Sequence, residues 1–573
     1  MPVHNSDIAA LFDQLADLLD IEDANPFRVR AYRNAARLIR EHPQSMAELI
    51  ATGADLTELP GIGKDLAAKI AQIVATGQLP LLEEVATRTP RVLSELLGIQ
   101  GLGPKRVKTL YRTLDIRSLE DLRRAAAAGR IRQLPGFGVK TEQAILAGVG
   151  QLAARGHRVK LRDAEAVAAA LVGHLARCAG VKQVTVAGSF RRRRETVGDL
   201  DILVTATRGA PVIEHFTRYD EVAEVLAAGG TRSTVRLRSG LQVDIRVVPE
   251  NAYGAALHYF TGSKAHNIAV RTLGAKRGYK INEYGVFRGD KRVAGRTESE
   301  VFASAGLPFI APELREDRGE IEAARAGRLP KLIELEDIRG DLHCHTVASD
   351  GSDRLEDLAA AAKKRGYEYI AINDHTKHVT IAHGLDEKRL REQLAEIDEL
   401  NTRLRGVTLL KSAEVDILED GSLDLPDRIL KELDFTVCAV HYQLGLSERR
   451  QTQRVLRAME NRYFTVLAHP TGRLINERSA YAIDLDKIMA AAKQRGCILE
   501  LNAHPDRLDL SDEACRRAKD HGVHVAISTD AHSSRDLDFM RFGIDQARRG
   551  WLSAGDVVNT RGLAELRTLL KRR

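Results

Sequence analysis

The sequence IRGDLHCH (338–345) is an apolar, strand-like run that ends in histidine, and six similar runs follow it. These also reach histidine or carboxylate at their ends: YIAINDH (369–375), LLKSAEVD (409–416), FTVCAVH (435–441), FTVLAHP (464–470), CILELNAH (497–504) and HVAISTDAH (524–532). Helical patterns separate the runs at 354–365, 386–404, 448–461, 484–495 and 511–521. Strands that alternate with helices predict a parallel sheet, and this many repeats can close it into a barrel.

The ends of these runs carry residue types that bind metal ions, and barrel enzymes place their chemistry at the carboxyl ends of strands. His343 and His345 lie two apart and therefore share one strand face. The other candidate ligands are Asp350, His375, Glu414, His441, His469, Asp530 and His532. Mixed imidazole and carboxylate ligands suit Mn²⁺, Zn²⁺ or Fe²⁺, and spacing does not choose among these ions. The region predicts a metal-dependent hydrolase in which Glu414 is the best candidate for a bridging carboxylate.

Length, charge and cysteine content bound the remaining architecture. A chain of 573 residues suggests roughly three to five domains. Residues 1–338 contain 49 basic and 41 acidic side chains, whereas residues 339–573 contain 37 and 38, so the first part is basic and suits a polyanionic partner. Five cysteines without a CxxC pair indicate free thiols and a reducing, cytoplasmic location. No apolar run is long enough for a membrane helix, and we expect no membrane partner.

Three segments of the N-terminal third repeat one pattern, in which two glycines flank an apolar residue before a lysine-bearing helix start. The segments are LPGIGKDLAAKI (59–70), IQGLGPKRVKTL (99–110) and LPGFGVKTEQAI (134–145). The glycines permit a tight turn with left-handed dihedrals, and N–H groups at the next helix start can bind phosphate. One copy is compatible with an ordinary helix connection, but three copies resemble helix-hairpin-helix motifs that grip the DNA backbone. The predicted DNA-binding residues are Gly61, Gly63, Lys64, Gly101, Gly103, Lys105, Gly136, Gly138 and Lys140.

Two carboxylates lie two apart within VTVAGSFRRRRETVGDLDILVT (184–205), where a second strand follows an arginine-rich loop. Asp199 and Asp201 share one face of that strand and can hold a divalent cation between them. The next apolar strand, LQVDIRVV (241–248), adds Asp244. Three carboxylates on neighbouring strands can hold two Mg²⁺ or Mn²⁺ ions about 4 Å apart, which suits attack by a hydroxyl and departure of pyrophosphate. We expect a nucleotidyl-transfer site, with solvated acids beside a basic turn as the alternative.

The turn before the aspartates is expected to bind the triphosphate. Gly188 and Ser189 end the preceding strand, and Arg192 follows in the loop. A glycine-serine turn followed by Asp-x-Asp is typical of the broad nucleotidyltransferase superfamily. The pattern predicts the chemistry and leaves the substrate open.

The segment FRVRAYRNAARLI (27–39) is an amphipathic helix with a basic face and precedes the first glycine hairpin. Together they resemble the amino-terminal lyase domain of family X DNA polymerases such as polymerase β. The resemblance implies that Lys69 attacks an abasic sugar aldehyde as a Schiff-base nucleophile, and that Tyr32 and Arg28 line a pocket for a DNA end. Asp65 departs from the base that family members often carry, so Lys69 as a plain phosphate contact stays open.

Residues 253–287, YGAALHYFTGSKAHNIAVRTLGAKRGYKINEYGVF, closely resemble the thumb of family X polymerases. The resemblance implies a deoxynucleoside triphosphate substrate, with Tyr259 and Phe260 beneath a sugar whose 2′-hydroxyl would be crowded. It also implies that Asn267 and Arg271, four apart on one helix face, contact the nascent base pair. The other implied substrate-binding residues are Gly262, Ser263 and Lys264.

The nine ligand candidates of the C-terminal region resemble the pattern of the PHP (polymerase and histidinol phosphatase) phosphoesterase family at every position. The resemblance implies a distorted seven-stranded barrel with a cluster of up to three metal ions that cleaves phosphodiesters. A barrel retained only for structure is the alternative, and the complete ligand set argues against it.

The whole chain resembles a bacterial family X DNA polymerase fused to a PHP domain, and its expected fold class is multidomain α/β. We expect helical N-terminal domains, an α+β nucleotidyltransferase palm with a thumb, and a distorted (β/α)7 barrel. The expected boundaries are 1–82 for the lyase-like domain, 83–150 for the fingers, 151–252 for the palm, 253–316 for the thumb, 317–338 for a linker and 339–573 for the barrel.

These features predict a DNA repair polymerase that fills gaps on a template and a barrel that acts as a 3′–5′ exonuclease. The expected partners are gapped or nicked duplex DNA, 3′ ends and dNTPs, and we expect a monomer. Lyase or abasic-site endonuclease activity is a further expectation. Two alternatives remain: a nuclease whose front half only binds DNA ends, and a nucleotidyltransferase that needs no template.

Overall fold

The computed structural model describes residues 5–41, 46–59, 61–97, 99, 102–155 and 158–570. Contacts divide the chain into two compact units, residues 1–156 and 157–573. The first unit is helical where it is described, and the second combines a mixed sheet with a parallel-stranded barrel. The predicted multidomain α/β class is confirmed.

The described part of the first unit consists of short helices around one apolar core. The helices are α1 (Asn5–Ile21), α2 (Pro26–Glu41), α3 (Met46–Ala51), α4 (Lys64–Thr76), α5 (Pro80–Arg88), α6 (Val92–Leu96), α7 (Pro104–Leu114), α8 (Leu119–Ala127) and α9 (Val139–Arg155). Apolar residues three or four apart on α1, such as Ile8, Phe12 and Leu15, are fully buried. This stripe packs α1 against α2, α5 and α7.

The glycine turns use their two glycines differently from the prediction. Gly61 and Gly136, the first glycines of their pairs, have φ of +84° and +81°, where glycine is favoured. The second glycines are not left-handed: Gly63 precedes α4 with φ −83°, and Gly103 precedes α7 with φ −95°. Neither helix start has a side-chain cap, so its N–H groups stay available. Gly101 lies outside the described residues.

The palm begins the second unit. Its elements are β1 (Val159–Lys160), α10 (Leu161–Ala176), β2 (Val181–Val186), α11 (Gly188–Arg191), β3 (Thr196–Val197), β4 (Asp199–Ala206), α12 (Gly209–Thr217), β5 (Val222–Ala228), β6 (Arg232–Leu237) and β7 (Gln242–Val248). Five strands form one sheet in the order β2-β4-β7-β6-β5, and only β4 and β7 pair in parallel. Strand alternation buries Leu200 and Ile202 in the core and turns Asp199 and Asp201 to the opposite face.

The thumb follows, and the segment predicted as a linker packs against it. The thumb elements are α13 (Tyr253–Thr261), α14 (Lys264–Lys276), β8 (Lys280–Asn282), β9 (Gly285–Arg288), β10 (Lys291–Ala294) and α15 (Glu298–Ser304), and α16 (Glu320–Arg325) comes after them. Glu320 on α16 is fully buried, and its Oε1 lies 2.7 Å from His266 Nδ1. The Ile333 N–H donates to the carbonyl of Leu552 in the barrel at 3.0 Å. The segment is therefore a packed connection between thumb and barrel.

The barrel confirms all seven predicted strand runs and the five helix patterns between them. Its strands are β11 (Gly340–Cys344), β12 (Tyr369–Ile372), β13 (Thr408–Lys411), β14 (Glu414–Asp416), β15 (Val437–Ala439), β16 (Val466–Leu467), β17 (Ile498–Asn502) and β18 (Val525–Ser528). Its helices are α17 (Leu355–Lys364), α18 (Glu387–Arg403), α19 (Asp427–Leu430), α20 (Glu448–Ala458), α21 (Leu485–Arg495), α22 (Asp512–Asp520), α23 (Met540–Arg549) and α24 (Leu563–Leu570).

All paired barrel strands are parallel, in two sheets ordered β11-β12-β13 and β14-β15-β16-β17-β18. The third predicted run divides between β13 and β14. Single bridges, Cys344 to Ala531 and His375 to Glu414, connect the two sheets on both sides. The ring is thus closed but distorted, and its carboxyl ends meet at one end of the barrel.

Palm and barrel share a core within the second unit. Ile475, Leu508 and Phe542 of the barrel pack among the apolar residues of the palm. Ion pairs surround this contact: Lys160 with Asp506 at 2.6 Å, Arg473 with Glu195 at 2.6 Å, Arg549 with Glu316 at 3.0 Å, and Arg193 with Asp545. The loops that follow β16 and β17 therefore serve the palm as well as the barrel.

Within the described ranges, no helix combines the length and apolar composition that crossing a bilayer requires. The five cysteines are all free thiols, and four of them are buried.

We expect Gly340→Ala to destabilise the barrel, because Gly340 is buried and a Cβ there would lie 2.2 Å from the carbonyl oxygen of Tyr369. Overpacking of this kind lowers the free energy of unfolding by about 1–3 kcal/mol. Urea unfolding followed by the fluorescence of Trp551, the one tryptophan of the chain, measures the change. Gly555→Ala is the control, since its Cβ would meet nothing within 4 Å. Equal unfolding midpoints for the two variants would contradict the expectation.

Candidate active sites and metal centres

The three predicted palm aspartates lie on two neighbouring strands. Asp199 and Asp201 are two apart on β4, and Asp201 is the direct register partner of Asp244 on the parallel strand β7. Residues two apart on a strand, and register partners on neighbouring strands, point to the same face of a sheet. Because adjacent strands lie about 4.8 Å apart, the three carboxylates are neighbours on that face. All three residues are partly exposed. The sheet therefore brings the predicted catalytic aspartates side by side at a surface that solvent reaches.

The predicted Gly188–Ser189 turn packs directly on this face. The Ala187 N–H donates to the Asp201 carbonyl at 2.7 Å. Gly188 has φ of +61°, and a Cβ there would lie 2.2 Å from Asp201 Oδ2. The positive φ and the close approach to the carboxylate both require glycine at this position, because a side chain would be strained in this conformation and would collide with Asp201. Ser189 follows, partly exposed, at the start of α11.

Asp244 is oriented by two neighbouring side chains. The Thr234 hydroxyl donates to Asp244 Oδ1, and Gln242 Nε2 donates to Oδ2 at 2.8 Å. Because each carboxylate oxygen accepts one hydrogen bond, the side chain is fixed with lone pairs left for a cation. The sequence pattern does not single out Thr234, which becomes a neighbour only through the pairing of β6 with β7.

The palm carboxylates repel one another when no cation lies between them. Burial and repulsion from Asp244 raise the pKa of Asp199. Burial, followed by repulsion from Asp199 and Asp244, raises the pKa of Asp201 to about 7. A divalent cation relieves this repulsion, and carboxylate oxygens are the ligands that Mg²⁺ and Mn²⁺ prefer. The donor set therefore fits these ions.

Two arginines flank the aspartates. Arg192 Nη1 donates to the Thr261 carbonyl at 2.6 Å, and its Nε donates to Glu316 at 3.0 Å. This predicted triphosphate contact thus bridges palm and thumb, with two of its donors already used. Arg158, which sequence reasoning missed, donates to Thr196 Oγ1 at 2.9 Å, and its charge acts on Asp199.

The predicted nucleotide-contacting residues of the thumb differ in exposure. Tyr259 is exposed, and its ring meets that of Phe260 edge-on with centroids 5.1 Å apart. Lys264 and Arg271 are exposed on α14. Asn267 is 9% exposed, and its Nδ2 donates to the Tyr259 carbonyl at 2.7 Å. Asn267 therefore fixes the backbone beneath the aromatic pair in this structure.

The turn at Gly262 and Ser263 joins α13 to α14. The Ser263 N–H donates to the Arg315 carbonyl at 2.9 Å, and the Ser263 hydroxyl accepts from the His266 N–H at 3.3 Å. Ser263 therefore caps α14, and the turn that carries the predicted substrate contacts is held by the thumb itself.

The nine predicted ligands of the barrel meet at the carboxyl ends of its strands. Three groups have candidate ligand atoms that all lie within 4.8 Å of one another: His345, Asp350, His375 and His532; His343, His345 and Asp530; and His375, Glu414 and His441. The ninth residue, His469, places Nε2 2.9 Å from Glu414. No other such group occurs in the described part of the chain, so the palm aspartates are less tightly gathered than the barrel ligands.

Glu414 lies at the centre of the cluster and is 1% exposed. Its Oε1 lies 2.9 Å from His469 Nε2 and 3.3 Å from His441 Nε2. Its Oε2 lies 2.9 Å from His375 Nδ1 and 3.5 Å from His343 Nε2. Burial by itself would raise the pKa of Glu414, but the surrounding histidines hold it well below its usual value. Two oxygens that face different histidines suit the bridging role predicted for this residue.

The hydrogen bonding and charge of the buried histidines are consistent with metal binding. His345 Nδ1 is buried and has no hydrogen-bond partner among the described residues, which costs free energy unless another group binds it. Burial favours the neutral imidazole of His375, but Glu414 and Asp350 outweigh it and hold the pKa well above its usual value. Metal ions bind neutral imidazoles, so an ion here would displace the proton that the raised pKa favours on His375. The residues therefore fit a multi-ion cluster.

Two carboxylates that the sequence analysis did not assign orient the histidines. Glu500 lies 2.7 Å from His343 Nδ1 and accepts the His469 backbone N–H at 2.7 Å. Asp416 lies 2.9 Å from His441 Nδ1. Each carboxylate fixes an imidazole so that its Nε2 points at the cluster. The available signal was an acid within an apolar strand, since both residues are fully buried.

The backbone is strained at two ligands. His469 has φ of +26° and Asp530 has φ of +54°. Residues other than glycine rarely adopt this conformation, which persists only where surrounding contacts enforce it. The strain places both side chains in the cluster at the points where their strands end.

The predicted lyase residues of the first unit have mixed placements. Lys69 Nζ forms an ion pair with Asp65. Tyr32 is 2% exposed and packs edge-on against Phe12, with ring centroids 5.6 Å apart. Tyr32 is thus a core residue in this structure, so a direct DNA contact by its side chain is not supported. Arg28 is exposed and lies over the Tyr32 ring.

The predicted phosphate-binding turns are open to solvent. Their described members are all exposed: Gly61, Gly63, Lys64, Gly103, Lys105, Gly136, Gly138 and Lys140. Exposed lysines next to uncapped helix starts fit contacts with phosphate oxygens.

Binding of Mn²⁺ by the palm is expected to weaken as the pH falls from 8 to 6. Asp201, with its pKa raised to about 7, is ionised above that pH and protonated below it, where protons compete with the cation. Each pH unit below 7 should cost up to about tenfold in affinity. Electron paramagnetic resonance measures free Mn²⁺ and thereby the number of ions bound by each protein. The difference between wild type and Asp201→Asn gives the ions whose binding depends on Asp201. A difference that is constant across this range would contradict the assignment.

Glu500→Gln should weaken metal retention by the barrel about 10- to 100-fold, because the neutral amide no longer makes His343 a better ligand. Metal content after dialysis against a graded chelator measures the effect. Glu513→Gln changes an exposed acid of the same domain and serves as the control. Indistinguishable retention in the two variants would show that Glu500 does not support the cluster.

Five protein families match consecutive parts of the chain. They are the Helix-hairpin-helix domain at residues 3–79, the SAM-like Helix-hairpin-helix tandem at 93–151, the DNA polymerase beta palm at 158–235, the DNA polymerase beta thumb at 256–316 and the PHP domain at 341–504. Their order agrees with the order of the helical unit, palm, thumb and barrel described above.

Relatives match the whole chain or one of its halves. The chain is 37% identical to the "DNA polymerase/3′-5′ exonuclease PolX" of Bacillus subtilis (strain 168), over 100% of both proteins. It is 29% identical to a probable phosphatase of Thermoanaerobacter sp. (strain X514), over 38% of this chain and 89% of that protein. It is 27% identical to "DNA polymerase lambda" of Arabidopsis thaliana, over 55% of this chain and 62% of that protein. Because the first of these matches is full-length and all parts occur in order, the chain belongs to the family X DNA polymerases that carry a C-terminal PHP domain.

Proposed function

We propose that this chain is a DNA repair polymerase that fills gaps on a template with dNTPs and trims 3′ ends with its barrel. The observation that carries the proposal is that one compact unit, residues 157–573, contains two separate clusters, the three aspartates of the palm and the histidine-rich cluster of the barrel. A full-length relative is named as both a polymerase and a 3′–5′ exonuclease, which agrees with one activity for each site.

The palm residues divide the work of nucleotide addition. Two Mg²⁺ or Mn²⁺ ions on Asp199, Asp201 and Asp244 would promote attack by the primer 3′-hydroxyl on the α-phosphate and neutralise the leaving pyrophosphate. The Gly188–Ser189 turn binds triphosphate oxygens. Arg158, Arg192 and Lys264 add positive charge around them.

The thumb selects and positions the nucleotide. Tyr259 and Phe260 form an edge-on pair that leaves one ring exposed, and in the proposed complex this pair crowds a 2′-hydroxyl. Asn267 donates a hydrogen bond to the Tyr259 carbonyl and so fixes the position of the backbone that carries this pair. Arg271 is exposed on the same helix and contacts the nascent base pair from the minor-groove side.

The nine barrel ligands would hold up to three Mn²⁺, Zn²⁺ or Fe²⁺ ions. When bound, such a cluster supplies an activated water and charge stabilisation for phosphodiester hydrolysis. The chain's own part is to orient the imidazoles through Glu500 and Asp416 and to keep Glu414 ionised among the histidines.

The first unit holds the DNA. Its open helix starts bind backbone phosphates without reading sequence, which suits gapped or nicked duplexes of any sequence. Lys69 lies against Asp65, and lyase chemistry at this lysine remains a prediction from the family resemblance. We further propose that the enzyme acts as a monomer in the cytoplasm, where its free thiols stay reduced.

One labelled primer on a gapped duplex tests both activities with Mg²⁺ or Mn²⁺. We expect Asp199→Ala with Asp201→Ala to abolish lengthening and to spare shortening. His343→Ala with His345→Ala should abolish shortening and spare lengthening, so each variant is the folding control for the other.

Four outcomes would contradict the proposal. If the palm variant lengthens primers normally, or if wild type never does, the palm is only a binding module. Equal extension of single-stranded and gapped primers would replace gap filling by template-independent transfer. Persistent shortening in the histidine variant would place the nuclease elsewhere.

A further inference from the structure

The barrel exposes its large apolar side chains at one end. Among its described residues, those exposed are Val347, Ile381 and Tyr442, at 54%, 51% and 38%. Each lies in a loop at the carboxyl end of a strand: Val347 two residues after the ligand His345, and Tyr442 directly after the ligand His441. Exposed apolar surface on the described barrel is therefore concentrated beside the metal cluster, although single apolar side chains elsewhere on a protein surface are ordinary.

His378 joins these side chains into one surface. Its ring meets that of Tyr442 edge-on, with centroids 5.0 Å apart, and its side chain is 46% exposed. It precedes Ile381 by three residues in the same loop. Arg389 ties this loop to that of Val347, because its guanidinium donates to a carbonyl in each. We call the surface formed by Val347, His378, Ile381 and Tyr442 the apolar rim.

The palm occupies another part of the same barrel end. Asn476, in the loop after β16, donates to the Arg158 carbonyl at 2.8 Å, and Asp506, after β17, pairs with Lys160. The rim lies on the loops after β11, β12 and β15. A DNA strand that reaches the cluster from solvent therefore meets the rim rather than the loops held by the palm.

The rim has the chemistry of a nucleobase contact. Unpaired bases stack on aromatic and apolar side chains with little regard to sequence, whereas bases inside a duplex have both faces covered. Lys377, next to His378, is exposed and has no ion pair with any residue that the structure describes, so its charge is available to a phosphate. Alternating cation and ring contacts are typical of sites for single-stranded nucleic acid.

We propose that the apolar rim binds the bases of unpaired nucleotides at a DNA 3′ end and thereby positions the terminal phosphodiester at the cluster. Tyr442 is the principal stacking residue because its ring is exposed and braced by His378. The inference rests on the proposed exonuclease function and adds the residues that select its substrate.

The first test compares two single-stranded oligonucleotides in the full-length enzyme. One is ordinary, and the other carries tetrahydrofuran in place of its last three nucleosides, so that it keeps the phosphates and lacks the bases. Tyr442→Ala should lower kcat/KM on the ordinary strand about 5- to 100-fold, mainly through KM. On the baseless strand it should change kcat/KM less than about twofold, which is the variation expected when a side chain and a substrate group do not interact.

Two control variants accompany this comparison. Tyr442→Phe keeps the ring and should retain the wild-type rate within about threefold, because stacking does not need the hydroxyl. Leu335→Ala removes an exposed apolar side chain that lies before the first barrel strand, and it should leave both substrates unaffected. Gap filling by the palm checks that each variant is folded. Equal losses on both strands, or no loss on the ordinary strand, would overturn the proposal.

A second readout does not require turnover. An oligonucleotide with 5-iododeoxyuridine at its 3′ end is irradiated with the metal-free full-length chain, and the crosslinked peptide is identified by mass spectrometry. The rim predicts a crosslink at Tyr442 that disappears in Tyr442→Ala. A crosslink that maps outside the loops at 346–350, 376–385 and 441–446 would reject the rim even if the exonuclease is active. A crosslink at Tyr442 in a chain that degrades no DNA would instead uphold the rim and reject the proposed nuclease.

Discussion

Glu414 is an almost fully buried carboxylate that faces five histidines, and this concentration of charge constrains the barrel around it. A buried charge is tolerated only where groups of opposite charge or metal ions compensate it. The histidines provide that compensation, but His343 and His441 in turn need Glu500 and Asp416 behind them. The cluster is therefore a network two layers deep, and removing one member leaves another buried group without its partner.

The carboxylates of the palm lack the compensation that histidines give those of the barrel. The three palm aspartates have no imidazoles among them, so burial and mutual repulsion raise the pKa of Asp199 and of Asp201. The barrel carboxylates Glu414 and Asp530 are held well below their usual pKa by the histidines around them. Histidines thus compensate the barrel carboxylates, whereas the palm aspartates repel one another.

Much of the barrel could be predicted from the sequence because strand alternation and strand ends are local signals. Seven runs and nine candidate ligands are predicted in this way, and the candidate ligands meet at one end of the barrel. The sequence pattern does not identify the roles of Glu500 and Asp416, because the histidine that each acid contacts comes from another strand. The resemblance to the lyase domain implies a DNA contact for Tyr32, but packing against Phe12 of a neighbouring helix buries the ring.

The contact between palm and barrel leaves no signal in the sequence, since it joins residues more than 200 positions apart. Arg193 pairs with Asp545, and Arg158 accepts a hydrogen bond from Asn476 through its carbonyl. Neither residue type nor local spacing marks such pairs, and only the closed barrel brings α23 and the loop after β16 to the palm.

The shared core has a practical consequence for anyone who wishes to divide the molecule. A fragment that ends before residue 339 would lose Ile475, Leu508 and Phe542 from the palm's interior and would uncover the apolar surface they fill. It would also leave Arg193 without Asp545 and Glu195 without Arg473, next to the loop that carries Arg192. The excised polymerase half would therefore expose apolar surface and lose contacts beside the loop that carries Arg192, so the barrel also serves as a structural support of the palm.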